Sequence, residues 1–548
     1  MIAAGELRTL IRHLREDLAH RRIADGLERL ESCRAEIEGL GPGQEDAASL
    51  LGCLAQWVDI GFASPELIRT LVERFPRSCR AGLSVRQYLH LRMAEGLVAM
   101  NDENFDEAIG HFRFVEALEV EVRETELPAI CTFWTGRCLR KQGRYDDALA
   151  CTMKARTLAS ERGFPKMAAV MKVMEGWLLF QKGKLREATA VFREAQASLA
   201  ETDDFVSRGN VASAYGRIAR RQGRYEQALE HFAQAIADYK CRDPQHMHLA
   251  RSLLNIAFVQ RLIALRLQTA TDEESARRRS GAASRIPVED LQTRRSTIQN
   301  LREEARVHLA EAMEIYRSHG NHRGTGSVYI NYGFLNLDDG DLDAAASDAA
   351  EAFRHGEEKR DHILLARART LQCMVENARL EEEIETDASR HAHQALDYAR
   401  EAVEYARETQ NPRLLARACI WEGLTCSSEA VHDHERARRC CDAALALLRP
   451  EGQDYVWYDL EALKARILRV TTLSQSLQAW SEGLTGDRTF QQITEEFAAI
   501  VIPRVWEREG RKVSRVAERL SISPKKVRRI LHAAGLLPGG QASPDTDT

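Results

Sequence analysis

The sequence predicts an all-α protein, a solenoid of paired helices followed by a small helix-turn-helix domain. Three observations carry this. The run Gly136-Arg137, Gln142-Gly143-Arg144-Tyr145, Ala148-Leu149 returns forty residues later as Gly216-Arg217, Gln222-Gly223-Arg224-Tyr225, Ala228-Leu229. A fixed period of this size marks a repeat architecture. The 548 residues are 44% apolar but only 6% aromatic, with 13 Pro, which suits stacked helices better than a single large core. Finally, ten Lys/Arg stand against three acids between Arg504 and His532, giving +7 there and −12 over the rest of a chain whose net charge is −5.

The period extends beyond the two clearest copies. Gly96, Gly136, Gly176 and Gly216 mark one helix of each unit, and Ala108, Ala148, Ala188 and Ala228 mark a second. Small residues there let two helix backbones approach closely. Phe105, Tyr145, Leu185 and Tyr225 fill the turn between them. Phe112, Phe192 and Phe232 continue the buried stripe with Ala155, Ala195 and Ala235, and Thr152 interrupts it in the second unit. These Gly, Tyr, Ala, Phe and Ala positions resemble the tetratricopeptide repeat. The period exceeds that family's usual length of about 34, so helices longer by about a turn are expected, and the first-helix Trp is mostly missing.

In order along the chain, residues 1–85 read as degenerate helical repeats and 86–268 as the clear ones. Residues 269–300, polar and holding Arg277-Arg278-Arg279, read as a flexible insertion. Repeats resume over 301–472, where Gly333, Gly340, Leu342, Ala345 and Ala352 form a good unit. Residues 473–487 read as a linker, 488–536 as a helix-turn-helix domain and 537–548 as a disordered tail.

In tetratricopeptide solenoids the first helices line a concave groove. The resemblance therefore implies that Phe133, Arg137, Arg140, Lys141, Trp177, Phe180, Arg217, Arg220 and Arg221 face a protein or peptide partner, with Met93, Leu97 and Met100 beside them. Two cationic clusters on an apolar floor suit acidic or carboxylate groups. Arginines paired to acids of neighbouring units form the alternative.

Near the C-terminus, Val513, Val516, Ala517 and Leu520 make one helical stripe and Val527, Ile530 and Leu531 the next. Ser523 is placed to cap the second helix and Pro524 suits its first position. The segment from Lys512 to Leu536 resembles the C-terminal helix-turn-helix of the Fis family, with Ser521 in place of the usual turn Gly and Pro524 at a position that is often Arg. The resemblance implies double-stranded DNA contact through Arg511, Lys512, Arg515, Ser523, Lys525, Lys526, Arg528, Arg529 and His532. It also implies a homodimer through the preceding helix of Phe490, Ile493, Phe497, Ile500, Val501 and Val505. A basic helical cap on the solenoid is the alternative.

The sequence therefore predicts a DNA-binding transcriptional regulator with a partner-binding solenoid. The alternative is a scaffold or adaptor whose basic end is a cap, docking site or non-specific anchor. No phosphate-binding Gly-x-x-x-x-Gly-Lys-Ser/Thr loop, His-Glu-x-x-His, Gly-x-Ser-x-Gly or Gly-x-Gly-x-x-Gly occurs, so no enzyme and no cofactor are expected. No metal is expected either. His432-Asp433-His434 lacks a fourth ligand at defined spacing, and the twelve cysteines contain no Cys-x-x-Cys. With no long apolar run and no secretion signal, a cytoplasmic protein is expected.

Overall fold

The computed structural model describes residues 4–122, 125–279, 287–382, 388–448, 454–482 and 490–537. It divides into two units, Met1–Ile467 and Leu468–Thr548.

The first unit opens with α1 (Ala4–His20), α2 (Ile23–Ser32), α3 (Arg34–Glu38), α4 (Ala47–Ile60), α5 (Pro65–Glu73) and α6 (Arg77–Arg80). Helix pairs follow: α7 (Val85–Asn101) with α8 (Phe105–Ala117), α9 (Leu127–Lys141) with α10 (Tyr145–Glu161), α11 (Pro165–Gln181) with α12 (Leu185–Leu199), and α13 (Phe205–Arg221) with α14 (Tyr225–Arg242). Next come α15 (Met247–Arg279) with α16 (Val288–Ser318), α17 (His322–Asp339) with α18 (Leu342–Glu358), α19 (His362–Glu382) with α20 (Ala388–Arg407), and α21 (Pro412–Cys426) with α22 (His434–Leu447). Helix α23 (Tyr455–Glu482) carries the chain across the division between the units.

The turn within each clear pair is built the same way. Gly143, Gly183 and Gly223 take left-handed φ of 82°, 76° and 71°, and Glu103 holds the equivalent position of the first pair at 61°. The amides of Arg144, Lys184 and Arg224 donate to the carbonyls of Leu139, Leu179 and Ala219 at 2.9 Å. This satisfies carbonyls left open at the helix end, as in a Schellman cap. The second helix then starts at Phe105, Tyr145, Leu185 or Tyr225, the positions expected to fill the turn.

Helix contact within a pair depends on a glycine facing a ring. A Cβ on Gly176 would meet the Phe192 ring at 2.8 Å, and one on Gly216 would meet the Phe232 ring at 2.7 Å. In the second pair Thr152 replaces the ring. Its hydroxyl donates back to the Ala148 carbonyl at 2.7 Å, so the buried polar atom is satisfied within its own helix. Ala108, Ala148, Ala188 and Ala228 are fully buried.

Residues 269–300 correct the expected flexible insertion. Residues 269–279 continue α15 and 288–300 open α16, while 280–286 lie outside the described residues. The cause is a heptad stripe inside a polar stretch: Leu291, Ile298, Ala305 and Ala312 recur every seven residues and are all buried. The expected linker at 473–487 also changes, since 473–482 belong to α23 and 483–487 lie outside the described residues. Of the expected disordered tail, 538–548 lie outside them too.

The first unit curls far enough to touch itself. The Asp203 carboxylate accepts from the amides of Ile23 and Ala24 at 2.7 Å, and Asp204 pairs with Arg21 at 2.6 Å. The amide of Gln410 donates to the Gly143 carbonyl at 2.8 Å, and Arg323 Nη2 donates to the Lys141 carbonyl at 2.6 Å. Inner helices from distant repeats thereby face a common interior. No helix among the described residues is long and apolar enough to cross a membrane.

The second unit contains α24 (Phe490–Arg508), α25 (Val513–Arg519) and α26 (Pro524–Ala533). Ile502, Trp506, Val516, Ala517, Val527, Ile530 and Leu531 form its core. The expected stripes of α25 and α26 are present, but α24 turns Ile502 and Trp506 inward, while Phe497 is exposed and Val505 only half-buried.

Candidate functional site

Two adjoining cavities of about 200 and 330 Å³ lie inside the first unit and share Arg140, Trp177, Arg217 and Arg251 on their walls. All nine side chains expected to face a groove line them. Phe133 and Arg137 line the smaller cavity, Lys141, Phe180, Arg220 and Arg221 the larger, and Arg140, Trp177 and Arg217 both. Their common placement follows from the repeat: each lies in the middle or the last turns of an inner helix, in register with Gly136, Gly176 or Gly216. Met93 and Leu97 depart from expectation, because both are fully buried in the core of the first repeats.

The far wall of the larger cavity comes from later repeats. Arg251, Arg323, Arg367, Arg413 and Arg417 join the cations of α9 and α13, and no Asp or Glu lines this cavity. Arg323 and Arg413 are paired, with Asp361 and Asp454. Among the described residues no carboxylate lies within ion-pair distance of Arg140, Lys141, Arg217, Arg220, Arg221, Arg251, Arg367 or Arg417. Arg137 is a correction to the expected pair of free clamps: it is held by Asp59 at 2.5 Å, across the wall of the smaller cavity.

Neutral groups hold the remaining arginines in place. Arg220 Nη1 donates to Asn255 Oδ1 at 2.9 Å, Arg367 Nη1 to Ser327 Oγ at 2.9 Å, and Arg221 Nη1 to the Phe180 carbonyl at 2.6 Å. Ring faces supply further support, with Arg221 3.7 Å from the Phe180 centroid, Arg140 5.0 Å from Trp177 and Arg417 5.0 Å from Phe334. The Nε atoms of Arg140, Arg217 and Arg417 are buried with no hydrogen-bond partner.

The electrostatic consequence is a strained cation cluster. Burial, then Arg251 and a neighbouring clamp arginine, pull Arg140 and Arg217 down to about 9. Burial, then Arg323 and Arg140, pull Lys141 down to about 7. Burial raises the Tyr455 hydroxyl, yet Arg417 and Arg413 outweigh it and draw the group below its ordinary value. This desolvation is tempered because Arg140, Lys141 and Arg217 keep part of their surface exposed. The arrangement stabilises negative charge placed inside it.

In the second unit, Ser523 Oγ accepts from the Lys526 amide at 3.3 Å and caps α26. Lys525, Arg528, Arg529 and His532 are exposed opposite Val527, Ile530 and Leu531, while Lys526 is half-buried. Arg529 pairs with Glu495 at 2.9 Å. Arg511, Lys512 and Arg515 are exposed at the start of α25, and Arg511 lies 5.6 Å from the Trp506 ring centroid. Ser521 takes a left-handed φ of 50° at the turn where the Fis resemblance leads one to expect Gly.

Other sequence candidates are occupied by structural roles. The Asp433 carboxylate caps α22 by accepting from the Arg436 amide. Cys440 and Cys441 are buried, and burial pushes both thiols up. His322, His355 and Glu358 bring three ligand atoms within 4.8 Å of one another, but Arg354 already pairs with Glu358 and supplies the positive charge there.

The tetratricopeptide repeat family matches residues 93–151 and 214–265, both in the first unit. No curated protein is similar to the chain in sequence. Among solved structures, a Rap protein complexed with Competence and Sporulation Factor is 10% identical, with 74% of this chain and 100% of that one covered and a TM-score of 0.48. The human IFIT1 dimer with m7Gppp-AAAA is 14% identical, with 82% and 96% covered and a TM-score of 0.38. Yeast Tom70 is 12% identical, with 80% and 100% covered and a TM-score of 0.20. The first unit is thus an all-helical array that carries tetratricopeptide repeats.

Proposed function

We propose that the protein is a non-enzymatic, cytoplasmic adaptor whose solenoid takes an acidic segment of a protein partner into the cation-lined cavity. One observation carries this reading: eight Arg/Lys side chains face a common space without a carboxylate partner among the described residues. Unpaired cations held together out of bulk water destabilise the fold unless an anion joins them. Arginine forks are also well suited to carboxylates. The test is fluorescence anisotropy with a labelled Asp/Glu-rich peptide and its Lys-rich counterpart. Binding of the acidic peptide alone, weakened at least tenfold by Arg140→Glu with Arg220→Glu, is expected. Equal affinity in the charge-reversed protein would sink the reading.

A second reading, DNA contact by the C-terminal unit as part of a transcriptional regulator, is favoured by the exposed basic face of α26 and its Ser523 cap. It extends to a homodimer, as the Fis resemblance implies. Selection from random duplexes tests it: a palindromic motif should emerge, and should vanish when Lys525, Lys526, Arg528 and Arg529 are all changed to Ala.

A further inference from the structure

We propose that the larger cavity is a phosphoryl-recognition site, built for two or more phosphoryl groups on one ligand in preference to carboxylates. This rests on reading the cavity as the partner site, and it narrows the chemistry of what enters.

The first argument is charge against space. Eight unpaired cations surround about 330 Å³, near the lower end of small-ligand pockets. A carboxylate brings one negative charge and two acceptor oxygens. A phosphoryl group brings about 1.5–2 charges and three acceptor oxygens on one compact centre. About half as many phosphoryl groups as carboxylates therefore offset the same wall. An acidic peptide would need more side chains, each with its stem and backbone, in a space already crowded by long arginines.

The second argument is the donor inventory. Among the described residues no acceptor reaches the guanidinium of Arg140 or Arg217, while Arg220 and Arg367 find neutral acceptors and Arg323 and Arg413 find carboxylates. Two partly exposed guanidinium groups without acceptors call for a ligand rich in acceptor oxygens. Asn255, Ser327 and Asn331 line the same space and offer short polar contacts of either sense.

The third argument is how the cations are grouped. Arg251 lies close enough to depress both Arg140 and Arg217 at the neck shared by the two cavities. Burial pulls Arg220 and Arg221 down as well, but there Arg413 is opposed by its partner Asp454, which at Arg220 outweighs it. The neck is thus one focus of positive charge, and the eight unpaired cations together exceed what a single phosphoryl group offsets. No carboxylate lines the cavity to receive an amine, so the ligand's recognised part carries charge of one sign.

The test is isothermal titration of the full-length chain with three probes: inorganic pyrophosphate, a doubly phosphorylated peptide, and the same peptide with Glu at both sites. Either phosphorylated probe should bind at least tenfold tighter than the Glu peptide. Arg140→Gln with Arg217→Gln should abolish that preference, and far-UV circular dichroism will confirm that this variant folds. Tight pyrophosphate with a weak phosphopeptide would support the site and assign it to a free phosphorylated molecule; the converse would assign it to a modified protein. Equal binding of the phosphorylated and Glu peptides, with no binding of pyrophosphate, would overturn the phosphoryl inference and leave the acidic-partner reading intact. No binding by any probe would overturn both.

Discussion

Replacing Gly216 by Ala probes the contact on which each helix pair is built. The new Cβ would lie 2.7 Å from Phe232 Cε1, and the ring behind it is fully buried. Overpacking a filled core costs about 1–3 kcal/mol, while replacing a mid-helix Gly by Ala returns about 1 kcal/mol. The net loss is about 0–2 kcal/mol, and the 2.7 Å approach to a fully buried ring puts it toward the upper end. Gly136 supplies the internal control. There the nearest atoms are Thr152 Oγ1 at 3.1 Å, and Ala148 O and Met174 Cε at 3.2 Å, with no ring. Its replacement by Ala should come out near zero, because the cost of a tight contact about equals the gain in helix propensity. Urea unfolding followed by far-UV circular dichroism compares the two variants directly. In a Phe232→Thr background, which copies the second repeat, Gly216→Ala should lose its penalty. Equal midpoints for Gly216→Ala and Gly136→Ala would refute the account of the glycine as a seat for the ring.

Three further outcomes are expected. Asp204→Ala removes the buried partner of Arg21 and the cap on Ser207 of α13, so urea unfolding should show a loss of about 3–5 kcal/mol. Lys141 is pulled down to about 7 from an ordinary 10.5, so the unfolded chain holds a proton there that the folded chain has released; stability should climb as pH rises across that window, and Lys141→Met should flatten the climb in urea titrations at matched pH. Ser521→Gly relieves a left-handed φ of 50°, and by about 1 kcal/mol it should slow amide exchange in α25 and α26.

The near wall of the cavity was readable because a repeat turns sequence position into spatial position. Gly136 and Gly216 share a register, so Arg140 and Arg220 had to project from equivalent places on parallel inner helices. The same logic reached Trp177 and Phe180. It failed at Arg137, whose partner Asp59 lies in α4, ahead of the clear repeats, where no register connects the two. It also failed at 269–300, where Arg-rich composition hid the seven-residue spacing of Leu291, Ile298, Ala305 and Ala312.

The far wall has a different history. Arg323 and Arg413 stand ten residues before Gly333 and Gly423, so the register itself could have paired them. What it could not supply was that they cross the interior, Arg323 to meet Arg140 and Lys141 and Arg413 to meet Arg220 and Arg221. That meeting follows from curvature, a small rotation between neighbouring pairs summed over several repeats. The sum is fixed by contacts such as Gln410 with Gly143 and Arg323 with the Lys141 carbonyl, which tie together residues more than 180 positions apart. Closure brings cations from distant repeats to one space, and each repeat alone would leave its own arginines facing water. A groove opened by breaking these ties would relax the crowding that draws Lys141 and Arg140 down. Ligand affinity and closure are therefore coupled, because the charge density that an anion meets exists only while the turns touch.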